Sequence, residues 1–139
     1  MPQRTLTIIK PDAVANGHLG SIVALIEKDG FKVVAARLVH MTKREAEGFY
    51  AVHRERPFFG ALTEFMSSGP CMPMVLERDN AIDRLREIMG ATNPENAAAG
   101  TVRKLFATDI EKNAIHGSDS PASAATEIPY FFPAIEMSR

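Results

Sequence analysis

The chain has 139 residues, 45% hydrophobic and 24% charged, which suffices for the core of one compact domain and excludes disordered and collagen-like profiles. Its formal net charge of −1 excludes the broad basic excess of a chain built to grip nucleic acid, so any positive field is local and suits a small anion. Cys71 is the single cysteine, which excludes an internal disulfide and a cysteine metal cage. With no leader-like or membrane-length apolar run, the expectation is a cytoplasmic protein with no membrane attachment.

The stretch Thr5-Leu6-Thr7-Ile8-Ile9 alternates and is β-rich, and it predicts a strand that stops at Lys10-Pro11-Asp12, because proline cannot donate to a ladder. Gly17 and Gly20 flank a turn into a helix on which Ile22, Leu25 and Ile26 recur until Asp29-Gly30 closes it. Residues 31–39 read as a second strand. Thr42-Lys43-Arg44-Glu45 then has the form of a capping box opening a helix that carries Phe49 and Tyr50. After Arg56-Pro57, the spacing of Phe59, Leu62, Phe65 and Met66 predicts another helix. Ser68-Gly69-Pro70 is a turn, residues 72–77 a third strand, and Ile82, Leu85, Ile88 and Met89 one face of a helix that Gly90 ends. Residues 91–108 have weak periodicity and read as an irregular excursion, of the kind that is often functional. A short fourth strand is expected around residues 113–115, and Ser120 can cap a final helix with Pro121 at its first position. No repeat or linker interrupts residues 1–139, so one domain is expected. The order β-α-β-α-α-β-α-β-α predicts a split β-α-β core with helices on one sheet face.

The segment Asn113-Ala114-Ile115-His116-Gly117-Ser118-Asp119-Ser120 puts a histidine at a strand end, just before a helix. A neutral imidazole has a nucleophilic lone pair near pH 7, and a helix N-terminus offers free N–H groups to an anion. Gly117 allows a close approach that a side chain would block, and Glu127, about two helical turns beyond Ser120, is placed to orient the ring. A lone histidine is more commonly structural; the surrounding residues reverse that preference. Phosphoryl transfer needs several positive donors, and Lys10, Arg86 and Arg103 are the candidates, with hydroxyls from Tyr50 and Thr92. Phe59 reads as core, whereas Phe58 can offer a face for base stacking, extended by Leu62 one turn on. The four histidines His18, His40, His53 and His116 show no metal-ligand spacing, so magnesium would arrive with nucleotide phosphates, keeping several waters. No G-x-x-x-x-G-K-[ST] loop is present, and Gly17-His18-Leu19-Gly20 is too short a pattern to weigh.

Asn113-Ala114-Ile115-His116-Gly117-Ser118-Asp119 resembles the N-x-x-H-G-S-D signature of nucleoside diphosphate kinases. The resemblance runs in order along nearly the whole chain, through Ile9-Lys10-Pro11-Asp12, Arg56-Pro57-Phe58-Phe59, Ser68-Gly69-Pro70, Gly90-Ala91-Thr92-Asn93-Pro94 and Gly100-Thr101-Val102-Arg103. It implies an α/β (α+β) sandwich, ferredoxin-like βαββαβ with an antiparallel four-stranded sheet and added helices. It also implies a ping-pong reaction in which a nucleoside triphosphate, mainly ATP, phosphorylates His116 through Nδ1, and the histidine passes the group to any nucleoside diphosphate.

By position, the resemblance puts Lys10, Tyr50, His53, Arg86, Thr92, Arg103 and Asn113 on phosphate or sugar. Phe58 and Leu62 fall at the base, and Glu127 behind the histidine. Magnesium is implied as cofactor, carried on the nucleotide. Residues 91–108 correspond to the family's protruding loop, and the family's assembly from a common dimer implies a homo-oligomer. The short tail after Phe132-Pro133 favours a tetramer over a hexamer. Leu105 stands where many members place an acid and Asn16 where many place a base, which touches loop contacts but removes no site residue. Two other readings are a ferredoxin-like nucleotide- or nucleic-acid-binding module without catalysis, and a member that keeps binding but has lost turnover.

Overall fold

The computed structural model describes residues 1–137. Strand β1 (Pro2–Ile9) pairs antiparallel with β3 (Met72–Asp79) along its whole length, from Pro2 opposite Asp79 to Ile9 opposite Met72. On its other side β1 takes β4 (Ile115–Gly117), and β3 takes β2 (Lys32–Ala36), so the order is β2-β3-β1-β4 and every pairing is antiparallel. This is the four-stranded ferredoxin-like sheet that the resemblance implied.

The helices cover both faces of the sheet, not one. On one side Ile9, Met74, Leu76 and Ile115 pack against α1 (Pro11–Ala15), α2 (Leu19–Lys28), α5 (Ala81–Met89) and Val102 of α6 (Val102–Phe106). On the other, Leu6, Ile8 and Val75 pack with Met41, Ala46 of α3 (Lys43–Phe49), Met66 of α4 (Phe59–Met66) and Phe131 of α7 (Pro121–Phe131). Side chains alternate across a strand, so the central strands feed both cores at once. Thr5 and Thr7 are fully buried like their apolar neighbours.

Several local expectations shift. The second strand stops at Ala36, after a register break between Val33 and Ala35, and Val39 returns only as an isolated bridge to Cys71. Pro11 ends β1 but also begins α1 at its first position, a place proline favours because its missing N–H is not needed there. The 91–108 excursion contains a 3-10 turn and α6, whose N-cap Thr101 accepts from the Lys104 N–H. The Thr42–Glu45 capping box forms in both directions. The fourth strand lies two residues later than expected, so His116 is its centre and not a residue beyond its end.

Candidate active site

β4 is an edge strand, and its period-2 alternation decides what His116 meets. Ile115 and Gly117 face α5: a Cβ added at Gly117 would stand 2.6 Å from Met89 Sδ and 3.1 Å from Leu85 Cδ2. The close approach at Gly117 is therefore a helix on a strand. His116, paired with Ile8, points to the opposite face, where α3 and α7 meet it. Its Nε2 lies 2.9 Å from Glu127 Oε1, and Ser118 Oγ donates to the same oxygen at 2.7 Å. Facing a carboxylate acceptor, Nε2 must carry the proton, which leaves Nδ1 as the nitrogen with the lone pair. The rings of Phe49 and Tyr50 stand edge-on to the imidazole, with centroids 5.4 and 6.2 Å away.

Around the ring lies a cleft of about 420 Å³, and all eleven site residues expected from the sequence line it. Lys10 is 7% exposed and donates from Nζ to Asn113 Oδ1 at 2.8 Å. Asn113 in turn donates to the carbonyls of Thr92 and Ile110, tying the excursion to the strand. Arg103, 8% exposed, donates to the carbonyl oxygens of Gly90 and Ile115, while its Nε is buried without a partner among the described residues.

Burial, and then the neighbouring Arg103, lowers the Lys10 pKa to about 8; burial, and then Arg86, lowers that of Arg103 to about 10. Cations held together out of water at this cost are stabilised by an anion placed between them. Tyr50 adds a buried hydroxyl with no partner among the described residues; burial first and Glu127 second push its pKa up, so it stays a donor.

The mouth of the cleft is looser. Phe58 is 44% exposed, with His53 at 5.4 Å between centroids and the Arg56 guanidinium 5.6 Å from its ring centre. Leu62 is half-buried on α4, and Thr92 is exposed on the excursion. The N-terminus of α7 is not the open anion seat the sequence suggested. Ser120 and Ser123 cap each other there, and Ser123 Oγ donates to Asp119 at 2.6 Å. That bond first, with smaller help from Ser120 and Arg86, holds the Asp119 carboxyl below its ordinary range, so a negative charge already sits at this end.

The cleft also has walls that the sequence reading passed over: Phe49, Val52, Met89 and Ser123. Ser123 stands three residues after the N-cap Ser120, a spacing at which a capping partner is expected, so a signal for it existed. Phe49 and Met89 carried only a core-like pattern, and Val52 carried none. Among the described residues no cluster of three or more His, Cys, Asp or Glu can hold a metal, and no helix is long and apolar enough to cross a membrane.

Comparison with known proteins places this chain among phosphotransferases. The family model described as nucleoside diphosphate kinase matches residues 3–137. A nucleoside diphosphate kinase of Francisella philomiragia is 62% identical over 135 residues, covering 97% of this chain and 96% of the relative. The crystal structure of the Aquifex aeolicus nucleoside diphosphate kinase superposes with a TM-score of 0.96 at 49% identity, over 98% of this chain and 99% of that one. A halophilic nucleoside diphosphate kinase from Halobacterium salinarum, solved in complex with CDP, gives 0.93 at 38% identity, over 98% and 91%. The chain belongs to the nucleoside diphosphate kinase family.

Proposed function

We propose that the chain moves the terminal phosphoryl group of a nucleoside triphosphate, mainly ATP, to nucleoside diphosphates in two half-reactions through a phosphohistidine at His116. The observation that carries this reading is the His116–Glu127 bond at 2.9 Å inside the cleft that also holds Lys10, Arg86 and Arg103.

In the first half-reaction the Nδ1 lone pair attacks the γ-phosphorus. An N–P bond forms, and the bond from phosphorus to the β–γ bridging oxygen breaks with its electron pair leaving on the nucleoside diphosphate. Positive charge gathers on the imidazole, and the Nε2–H bond to Glu127 stabilises it. Lys10, Arg86 and Arg103 oppose the charge of the migrating group, while Tyr50, Thr92 and His53 supply donors to phosphate or sugar. Asn113 reaches phosphate or sugar by exchanging one of its bonds to the Thr92 and Ile110 carbonyls. The second half-reaction is the reverse with a different diphosphate. Phe58 and Leu62 offer the base an apolar face, which every base can use, so base tolerance follows. The relative described with CDP supports a nucleotide as the ligand class here.

Magnesium is proposed to enter on the nucleotide phosphates. The carboxylates lining the cleft are Asp119 and Glu127, and Glu127 is committed to His116 and Ser118. That donor set would suit an ion held mainly by phosphate oxygens and waters, and Asp119, kept ionised by its Ser123 bond, would be the carboxylate to hold such a water. When bound, the ion neutralises charge along the phosphate chain. A cytoplasmic location and a homo-oligomer, a tetramer before a hexamer, complete the proposal. The rival binding module calls for a basic stripe; the net charge of −1, with three cations gathered in one cleft, favours the enzyme.

The test is labelling with γ-labelled ATP. The wild-type protein should take up label that survives alkali and is lost in acid, and His116→Ala should abolish both label and transfer. Full activity in that variant would rule the mechanism out.

A further inference from the structure

Ala114 holds a backbone φ of 73° while fully buried. Among the described residues Asn80 is the other non-glycine in this region; it is exposed and of a type that tolerates it, whereas alanine has no polar side chain to compensate. The Ile115 N–H bonds the Asn113 carbonyl at 2.9 Å across Ala114, which makes residues 113–115 a γ-turn of the rarer, strained hand. Strain of this kind persists where the surroundings over-determine it.

Here the surroundings are the residues that follow β1. The Lys10 N–H donates to the Ala114 carbonyl at 2.9 Å, and the Ala114 N–H donates to Asp12 Oδ2 at 3.1 Å. Both backbone groups of the strained residue are thus held by one short segment. The other Asp12 oxygen is buried and has no partner among the described residues. The groups on either side of the turn all belong to the cleft: the Asn113 amide on Lys10, the Ile115 carbonyl on Arg103, and His116 itself.

We propose that Asp12 is a positioning residue for His116: its carboxylate clamps the strained turn at Ala114 and so sets where the imidazole meets the phosphoryl group. The proposal rests on the phosphohistidine reading for its catalytic consequence, but the clamp itself is a structural claim with its own readout. Asp12 touches no reacting atom; it acts through Ala114.

Three changes separate this role from its rivals. Asp12→Ala removes the acceptor, Asp12→Asn keeps an acceptor oxygen and removes the charge, and Ala114→Gly removes the strain that needs a clamp. In Asp12→Ala the single-turnover rate of His116 labelling, per folded molecule, should fall about 10- to 100-fold, as a misplaced reacting group does. Exchange of the Ala114 amide hydrogen should speed up in parallel. Asp12→Asn should lose less than about threefold, because the bond survives. Adding Ala114→Gly to Asp12→Ala should recover most of the rate.

Wild-type labelling in folded Asp12→Ala would overturn the proposal. So would an equal loss in Asp12→Asn, which would assign the effect to charge beside Lys10, or a double variant no faster than Asp12→Ala. Should Asp12→Ala not fold, recovery of folding by Ala114→Gly is the expected result and its failure the contrary one. If the wild-type protein takes no label at His116, the functional reading fails. The clamp is then decided by Ala114 amide exchange in Asp12→Ala, where unchanged protection would refute it.

Discussion

The two ends of the cleft are built differently. At the deep end Lys10, Arg103 and Asn113 are 7%, 8% and 3% exposed, and each is tied by hydrogen bonds to backbone or to another of the three. At the mouth Phe58 is 44% and Val52 86% exposed, and the contacts of Phe58 are ring to ring or ring to guanidinium. The deep end stands on the ends of β1 and β4 and on α6; the mouth stands on short helices joined by a 3-10 turn. Groups that must meet developing charge gain from low dielectric and fixed geometry, and they are held on several sides. Groups that need only present a flat apolar face can be left half in water. The asymmetry also predicts where substitutions hurt.

The sharpest way to break the comparison is to remove one deep cation. Arg103→Ala should lower kcat/KM for transfer from ATP to a nucleoside diphosphate by about 10²- to 10³-fold, the usual cost of losing a preorganised charge partner. The loss should fall mainly on kcat, because the interaction strengthens as the phosphoryl group moves. A loss no larger than that of a mouth substitution, measured under the same conditions, would remove the distinction between the two ends.

A smaller effect comes from pH. Burial, with Arg103 next, brings the Lys10 pKa from 10.5 down to about 8, so the free protein loses this charge as pH rises past that point. A bound phosphate restores it, so nucleotide binding above pH 8 must take up a proton. Affinity should then fall with pH, approaching tenfold per unit while the bound form stays charged. Stability without nucleotide runs the other way. Between about pH 8 and 10.5 the unfolded chain binds more protons at this site than the folded one, so this group's contribution rises with pH across the window. The full span is about 3 kcal/mol at about 1.4 kcal/mol per unit. It is lost again as pH falls from about 10.5 to about 8, below which both states carry the proton. Titration calorimetry in buffers of different ionisation enthalpy reads the proton uptake, and Lys10→Met should flatten both profiles; an unchanged profile in that variant would move the titration to another group.

The same contrast explains how much could be read beforehand. Lys10, Tyr50, Arg86, Thr92, Arg103 and His116 were legible because charge, hydroxyl and nucleophile chemistry requires particular side chains, whereas His53 and Asn113 came only with the family resemblance; all of them line the cleft. The long, periodic helices α2 and α5 and the box at Thr42 were legible for equally local reasons. What escaped depends on tertiary context. Thr5 and Thr7 mimic a solvated strand face, yet both are buried because a second layer of helices covers that side, which concealed the two-faced core. β4 has three residues, too few for a period to show, and the turn at Ala114 that displaces it is held by Lys10 and Asp12 from about a hundred positions away in the chain. α1 was within reach, since Pro11 is a helix-start signal as well as a strand-stop signal.

The smallest effect should come from the mouth. Removing the ring in Phe58→Ala costs a stacking surface worth about 1–3 kcal/mol per base, and a ring 44% exposed belongs at the low end of that range. KM should rise about tenfold with kcat nearly unchanged, because the base is held equally in ground and transition states. The rise should be alike for adenine, guanine, cytosine and uracil diphosphates, since a π-face carries no base-edge information. A loss confined to one base would place edge recognition at the mouth. A fall in kcat as deep as that of Arg103→Ala would mean that the base end positions the phosphate after all, and that the two ends of the cleft act as one.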